Sequence, residues 1–454
     1  MNILLVYPTR LNKNGTPIKY WKAFIPPLQL AVLNALTPDK HNVTVINDIV
    51  EDIPFSNSFD LVGITAMTTQ SERAYQIADR FRELMVKVVI GGVHATFMYD
   101  EAKRHADSVV IGEAEDIWEQ VLADCENNRL RDFYKADSLT DLNRLLIPRW
   151  DNMNLDIYDK PKTAKMPAVP IYTTRGCPFK CKFCSVTHMF GHKFRVKPID
   201  NVFKEIESIN APAYYFADDN IVGNPDYASE LFNAIIKRKN KIRWYGSAST
   251  TILKSPHLID LAAKAGCDDI FLGIETINPG NLKRVNKHCN TIEEYKELFT
   301  RFRKAKIETD AGIILGFDDD TPETFRETVD FLVKSRVSNA VFFILTPLPG
   351  TPLFKEFEDS DRLLHKKWSE YDFSTLVFRH TTFTEDTLHE SFWRTWQEFY
   401  SIPNIVRRTT QHITSYRSPI LYYMGGYLAT QRYFRNLSLA HEHPYSGGVG
   451  RPRK

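Results

Sequence analysis

Cysteine is scarce in this chain, with six in 454 residues. So few thiols rule out a scaffold built on disulfides, and with no leader-like start they point to a reducing compartment. The opening MNILLVYP is apolar but lacks a basic flank and is too short for a secretory leader, so it reads as a buried first strand. No run approaches the roughly 20 apolar residues of a membrane helix. The expected location is cytoplasmic. Charge of one sign is also lacking: the formal net charge is +2, which gives no global argument for nucleic-acid binding. No G-x-G-x-x-G follows the first apolar run, and this disfavours a dinucleotide site. What remains is an ordinary globular composition, 43% apolar and 25% charged, long enough for two or three domains.

Up to about residue 127, short apolar runs at 3–7, 43–47, 61–66, 88–90 and 108–111 alternate with helical patterns. Ala74, Ile77, Ala78, Phe81 and Leu84 recur at three- and four-residue steps, an apolar helical stripe. Continuous apolar strands between amphipathic helices predict a parallel sheet covered on both faces. The expectation is an α/β, Rossmann-like (flavodoxin-like) domain over 1–127, with its ligand site at the carboxyl ends of the strands. Those ends are rich in small residues: Pro8 and Thr9, then Thr65 and Thr68, then Gly91, Gly92 and His94, then Gly112 and Glu113. Small side chains let a backbone approach a bulky ligand closely. Residues 128–166 read as a linker.

Strand–helix alternation resumes over 167–357, with apolar runs at 169–174, 214–217, 244–249, 270–276, 311–316 and 341–346. Thr321-Pro322 is a helix start, a capping hydroxyl followed by proline in the first turn, with Phe325, Val329 and Leu332 as its buried stripe. After the first of these runs comes RGCPFKCKFCSV, which places Cys177, Cys181 and Cys184 on one tight loop. Three thiolates can hold three irons of a cubane and leave the fourth open to a substrate or cofactor. Structural zinc completed by His188 or His192 is the competing reading. Cys125, Cys267 and Cys289 are scattered singly.

Arg175-Gly176 before the first cysteine, Phe183 before the third, and a strand just upstream resemble the radical S-adenosylmethionine superfamily. The resemblance implies a (βα)6 partial TIM barrel and a [4Fe-4S] cluster on Cys177, Cys181 and Cys184, with Phe183 beside the cofactor. It also implies S-adenosylmethionine on the open iron, cleaved by one electron to a 5′-deoxyadenosyl radical. Asp218 and Asp219, in the run FADDN, stand where the family places its methionyl-binding motif, and are not ranked by sequence. The hydroxyl of Ser249 ends the third strand, and Glu275, in GIET, is implied as a ribose contact. Gly312 and Gly316, in GIILG, would admit the adenine. The family continues to a glutamate where this chain has Asp319.

The N-terminal strand ends, in DLVGITAMT, VVIGGVHAT and VVIGEAE, resemble the cobalamin-binding domain fused ahead of many such enzymes. That likeness makes Pro8, Thr9, Thr65, Thr68, Gly91, Gly92, His94, Gly112 and Glu113 the implied cobalamin contacts. The cobalt-ligating D-x-H-x-x-G is absent, since His41 lies in DKHNV. His94 is therefore expected to meet the corrin through packing or hydrogen bonds.

Beyond 358 the chain turns helical and aromatic, with Trp368, Tyr371, Phe373, Trp393, Trp396, Phe399, Tyr400, Tyr422, Tyr423, Tyr427 and Tyr433. Core packing is the expected use. The tail resembles the extension of family members acting on hydrophobic substrates such as hopanoid lipids. Arg407, Arg408, Arg432 and Arg435 suit either a membrane surface or a solvated face, and 447–454 reads as disordered. The resemblance implies a cobalamin-dependent methyltransferase acting on an unactivated carbon of an apolar small molecule, reduced by a flavodoxin or ferredoxin. Oxidative ring formation or rearrangement with the same cofactors is the alternative. A non-catalytic redox sensor or nucleic-acid-binding protein is the alternative of another class.

Overall fold

The computed structural model describes residues 1–160, 166–238, 241–409, 420–444, 448–449 and 452–453. Its first sheet contains β1 (Asn2–Tyr7), β2 (Asn42–Asn47), β3 (Leu61–Thr65), β4 (Lys87–Gly91), β5 (Ser108–Ile111) and β6 (Phe133–Lys135). The order is β2-β1-β3-β4-β5-β6, all parallel. The five expected strands are present in the flavodoxin-like order, and the crossover switches direction between β1 and β3. β6 is an addition: the sheet runs on into the segment expected as linker.

Both faces of this sheet are covered, as its sequence demands. Ile3 and Leu5 of β1 pack with Trp118, Val121 and Leu122 of helix Trp118–Glu126. Leu4 and Val6 pack on the other side with Ala74, Ile77, Ala78 and Phe81 of helix Ser71–Glu83. Successive strand residues point to opposite faces, so the unbroken run of apolar residues serves two cores at once.

The second sheet contains β7 (Val169–Ile171), β8 (Tyr214–Phe216), β9 (Trp244–Ala248), β10 (Cys267–Glu275), β11 (Glu308–Leu315) and β12 (Asn339–Ile344). Each strand pairs in parallel with the next in sequence. Right-handed crossovers through helices are the rule for such units, and six of them give an open partial barrel. Helix Pro322–Lys334 starts as expected: the Thr321 hydroxyl caps Thr324 N, and Phe325, Val329 and Leu332 are buried. The carboxyl ends of both sheets carry the loops from which a site is built.

The C-terminal aromatics are mainly core. Trp396 packs edge-on to Phe342 of β12 with ring centroids 5.3 Å apart, and the Tyr400 hydroxyl donates to Ala340 O at 2.8 Å. Tyr422, Tyr423 and Tyr427 lie outside the residues whose side chains are described. Arg408 is wholly buried and donates to Ser338 O, Phe399 O and Gln431 Oε1. The expectation that it faces a membrane or solvent is therefore corrected. Its guanidinium satisfies the Phe399 carbonyl at the end of helix Glu385–Phe399 and the Ser338 carbonyl just before β12. Gly448–Val449 pairs antiparallel with Lys22–Ala23, so this part of the expected disordered tail is a strand. Among the described residues no helix is long and apolar enough to cross a membrane.

Candidate active site

The three clustered cysteines sit on a loop with a closed neck. Thr174–Arg175 pairs antiparallel with Arg195–Val196, Arg175 lying opposite Arg195, and residues 176–194 form the loop between them. Gly176 opens it at φ 92°, where a side chain would collide with Lys193 O. Lys182 pins the middle: its N–H donates to Val285 O, and its carbonyl accepts from Leu353 N, both at 3.0 Å. Cys181 is buried, Cys177 and Cys184 half-buried, and Phe183 packs on the barrel core. Burial pushes the thiols of Cys181 and Cys184 up to about 12.

The end of β8 separates its two aspartates. Asp218 is 2% exposed and accepts from Thr173 N, Thr173 Oγ1 and Thr174 N at 2.8, 2.6 and 2.5 Å. Burial pushes its carboxyl up to about 6 against those donors. Its work is to hold the approach to the cysteine loop. Asp219 is exposed and accepts an N–H from Gly176 at 3.1 Å. Sequence reading passed over Asn220, which is buried. It accepts from Ser249 N at 3.0 Å, donates to Ser249 Oγ at 3.2 Å, and lies 4.0 Å from Cys177 Sγ. Ser249 is thereby tied to the cysteine loop.

β10 ends in a bulge between Gly273 and Glu275. Glu275 sits there in left-handed backbone, φ 66°, and its carboxylate lies 2.6 Å from Lys287 Nζ. A side chain at Gly273 would press on both partners. Glu275 is thus engaged by a lysine, and a ribose contact would have to share it. Lys287 was not singled out from sequence; a buried strand-end glutamate in need of a cation was the available signal. At Gly312 the space a side chain would take is filled by the Phe271 ring, so the glycine expected to admit adenine first accommodates an aromatic. Gly316 has φ 86°, and Asp320 accepts the N–H groups of Gly316 and Phe317 at 2.9 and 3.0 Å. Asp319 is exposed, while Asp318 is chelated by Arg362 and Arg284.

On the N-terminal side, the expected contacts divide by burial. Thr65, Gly91, Gly92 and Gly112 are part-exposed at the strand ends, and Pro8, Thr9, Thr68, His94 and Glu113 are buried. A side chain at Gly112 would meet nothing within 4 Å, so open space lies above it. Gly92, φ 98°, is packed against the Ala66 backbone. Thr9 donates its N–H to Asp48 and its hydroxyl to Ile18 O. His94 is engaged inside the protein. Its ring is 1% exposed, 3.1 Å from the Tyr75 hydroxyl and 5.1 Å from the Trp368 ring. Trp368 in turn donates to Glu101 Oε1 at 2.7 Å. His94 therefore braces the C-terminal extension against the first domain. Glu113 is engaged likewise: Arg175, Arg195 and Thr140 N occupy both its oxygens. Burial opposes its ionisation, but Arg195 and Arg175 outweigh this and hold the carboxyl below the ordinary glutamate value.

Residues 171–332 match the model of the radical SAM superfamily, and residues 22–122 match that of the B12 binding domain. The bacteriochlorophyllide d C-12(1)-methyltransferase of Chlorobaculum tepidum is 33% identical over 390 residues, 84% of either chain. The chain belongs to the cobalamin-dependent radical S-adenosylmethionine methyltransferase family. The C-8(2)-methyltransferase of the same organism is 30% identical, covering 84% of this chain and 87% of that one. The hopanoid C-2 methylase of Rhodopseudomonas palustris is 27% identical, covering 76% and 66%. Among solved structures, the methyltransferase TsrM of Kitasatospora setae, with cobalamin and [4Fe-4S] cluster bound, superimposes at TM-score 0.67. It is 17% identical, covering 96% of this chain and 99% of that one. At such identity the likeness concerns the fold.

Members of this family use a [4Fe-4S] cluster, S-adenosylmethionine and cobalamin, and the side chains present suit all three. The cysteine loop offers three soft sulfur donors. A cubane takes each thiolate on a different iron, so three cysteines on one loop fill three of its corners. Exposed Asp219 suits an ammonium group, and the open ground above Gly112 suits a bulky planar ligand. The non-catalytic alternative does not survive the family assignment.

Proposed function

We propose that this enzyme methylates an unactivated carbon of an apolar, ring-built small molecule. The observation that carries this reading is an aromatic wall on the inner side of the partial barrel. Phe271 and Phe343 lie 6.5 Å apart between ring centroids, and Phe373 continues the series 5.8 Å from Phe343. Phe373 comes from the C-terminal extension and holds a left-handed backbone, φ 63°, with its carbonyl accepting Ile344 N at 2.7 Å. Such strain in a bulky residue is costly and collects at functional sites. Beside it, Asp372 meets Arg10, from the end of β1, at 3.2 Å. The wall thus stands where both domains meet. Relatives named for bacteriochlorophyllide and hopanoid substrates support an apolar polycycle.

When bound, the cluster with S-adenosylmethionine supplies a carbon-centred radical and cobalamin supplies the transferable methyl; the chain orients them and excludes water. Cys177, Cys181 and Cys184 hold the cluster. Asp219 takes the methionyl ammonium as a charge-assisted acceptor, and Ser249, fixed by Asn220, lies beside it. Glu275 with Lys287 closes the ribose side. Thr65, Gly91 and Gly112 border the corrin. A flavodoxin or ferredoxin delivers the electron, and the reaction is cytoplasmic.

Anaerobic turnover with dithionite on a chlorin and on a pentacyclic triterpene tests the reading. The expected product gains one carbon and two hydrogens. Oxidative ring formation is the second reading, favoured by 26% identity to the anaerobic magnesium-protoporphyrin IX monomethyl ester cyclase of Cereibacter sphaeroides. A product lighter by two hydrogens decides for it and against methyl transfer.

A further inference from the structure

One carboxylate of the cobalamin-binding side fastens both ends of the cysteine loop. Arg175 and Arg195 face each other across the neck, and Glu113 takes both. Arg175 Nη1 reaches Glu113 Oε1 at 2.7 Å, and Arg195 reaches Oε1 and Oε2 at 2.9 Å each. The fit is exact on the other side too. Thr140 donates its N–H to Glu113 Oε2 at 3.0 Å, while its carbonyl accepts from Arg195 at 2.6 Å. Arg175 spends its second amino group on Glu115 at 2.5 Å. Glu113 and Arg175 are buried, their side chains 4% and 6% exposed, and Arg195 is half-buried at 15%.

Such a knot is a poor way to gain stability, because stripping water from the charges costs about as much as their attraction returns. Its use is geometric. Glu113 directly follows Gly112, whose N–H is held by Thr96 Oγ1 at 3.0 Å and whose α-carbon borders open space. Two residues after Arg175 comes Cys177. The shortest path from the β5 loop to Cys177 therefore runs through Arg175, held by Glu113 and Glu115, while Glu113 grips Arg195, at the far end of the loop, in a bidentate contact of fixed planar geometry.

We infer that Glu113 is a positioning residue that sets the separation and mutual orientation of cobalamin and the iron–sulfur cluster. The inference rests on the cofactor sites proposed above and is independent of the substrate. Trp368, with Glu72 and Glu101, joins the C-terminal extension to the first domain, but it makes no bond to the cysteine loop.

The test uses the full-length enzyme, purified anaerobically and loaded with both cofactors, as E113Q and E113D. Iron, sulfide and cobalamin contents report assembly. Pulsed dipolar spectroscopy between cob(II)alamin and the dithionite-reduced cluster reports their separation, with no substrate present. Both variants are expected to load fully. The distance distribution should broaden at least twofold in E113Q, where a neutral amide replaces the anion, and by less in E113D. With S-adenosylmethionine and dithionite alone, 5′-deoxyadenosine release should stay within about threefold of the parent, since each site remains intact. A parental distance distribution in a fully loaded E113Q overturns the inference. So does failure of both variants to fold or to take up the cluster, because the knot would then serve assembly. Methyl transfer itself fails separately, on product mass.

Discussion

Lys287 Nζ lies 2.6 Å from the Glu275 carboxylate, and both side chains are 11% exposed. The pair occupies the bulged end of β10, where Glu275 is held at φ 66°. Removing one partner of a buried pair leaves the other charge uncompensated, at a cost of about 3–5 kcal/mol. K287M should therefore lower the urea midpoint of unfolding strongly. The double variant K287M/E275Q should recover part of the loss, since no lone charge remains. Equal midpoints for the single and double variants would show that Glu275 finds another cation.

The two aspartates of β8 should separate in their effects. D219A removes an exposed acceptor and should keep the fold while weakening S-adenosylmethionine binding by about 10–100-fold, the worth of one charge-assisted bond. D218A strips three donors of their acceptor and should reduce stability by about 2–4 kcal/mol. Equilibrium binding of S-adenosylmethionine beside urea unfolding distinguishes them. Unchanged affinity in D219A would remove Asp219 from the site.

C177A, C181A and C184A should each lose most iron and sulfide on anaerobic reconstitution. C125A, C267A and C289A should retain it. Iron and sulfide analysis decides, and a full cluster in any of the first three variants contradicts the ligand set. Loss of the cluster in C289A would make the site a closed one.

Asp318 offers a pH signature. Burial opposes its ionisation, but Arg362 and Arg284 prevail and hold its carboxyl below the ordinary aspartate value. A depressed folded value adds stability that is complete above the unfolded value and disappears as pH falls through the folded one. D318N should cost about 2–4 kcal/mol at pH 7. The gap should persist at pH 5 and narrow only below 3.8. Urea midpoints of parent and variant across that range check it. A gap that closes between pH 6 and 5 would assign the effect to another group.

Strands and cofactor motifs were legible because both are local. Period-two and unbroken apolar runs placed eleven of the twelve strands of the two large sheets, and the cysteine spacing stood within one loop. β6 escaped because FYK is three residues long, too short for a period. The ion pairs escaped for a different reason. Glu113 and Arg175 are 62 residues apart and Glu275 and Lys287 are 12 apart, and no local pattern reports which acid meets which base. Asn220 was quoted in its motif but not weighed, since an amide after two carboxylates looks like an ordinary turn residue. His94 and Glu113 were placed in the right loops. What their side chains reach depends on Trp368 and Arg175, which arrive from other domains.

The closed neck of the cysteine loop constrains how such a protein can be recombined. Its barrel does not fasten the hinge of that loop alone, because the anion gripping both arginines belongs to the neighbouring fold. A chimera that swaps the amino-terminal half must import an acid at the equivalent turn, or the transplanted barrel would inherit two arginines stripped of their shared carboxylate.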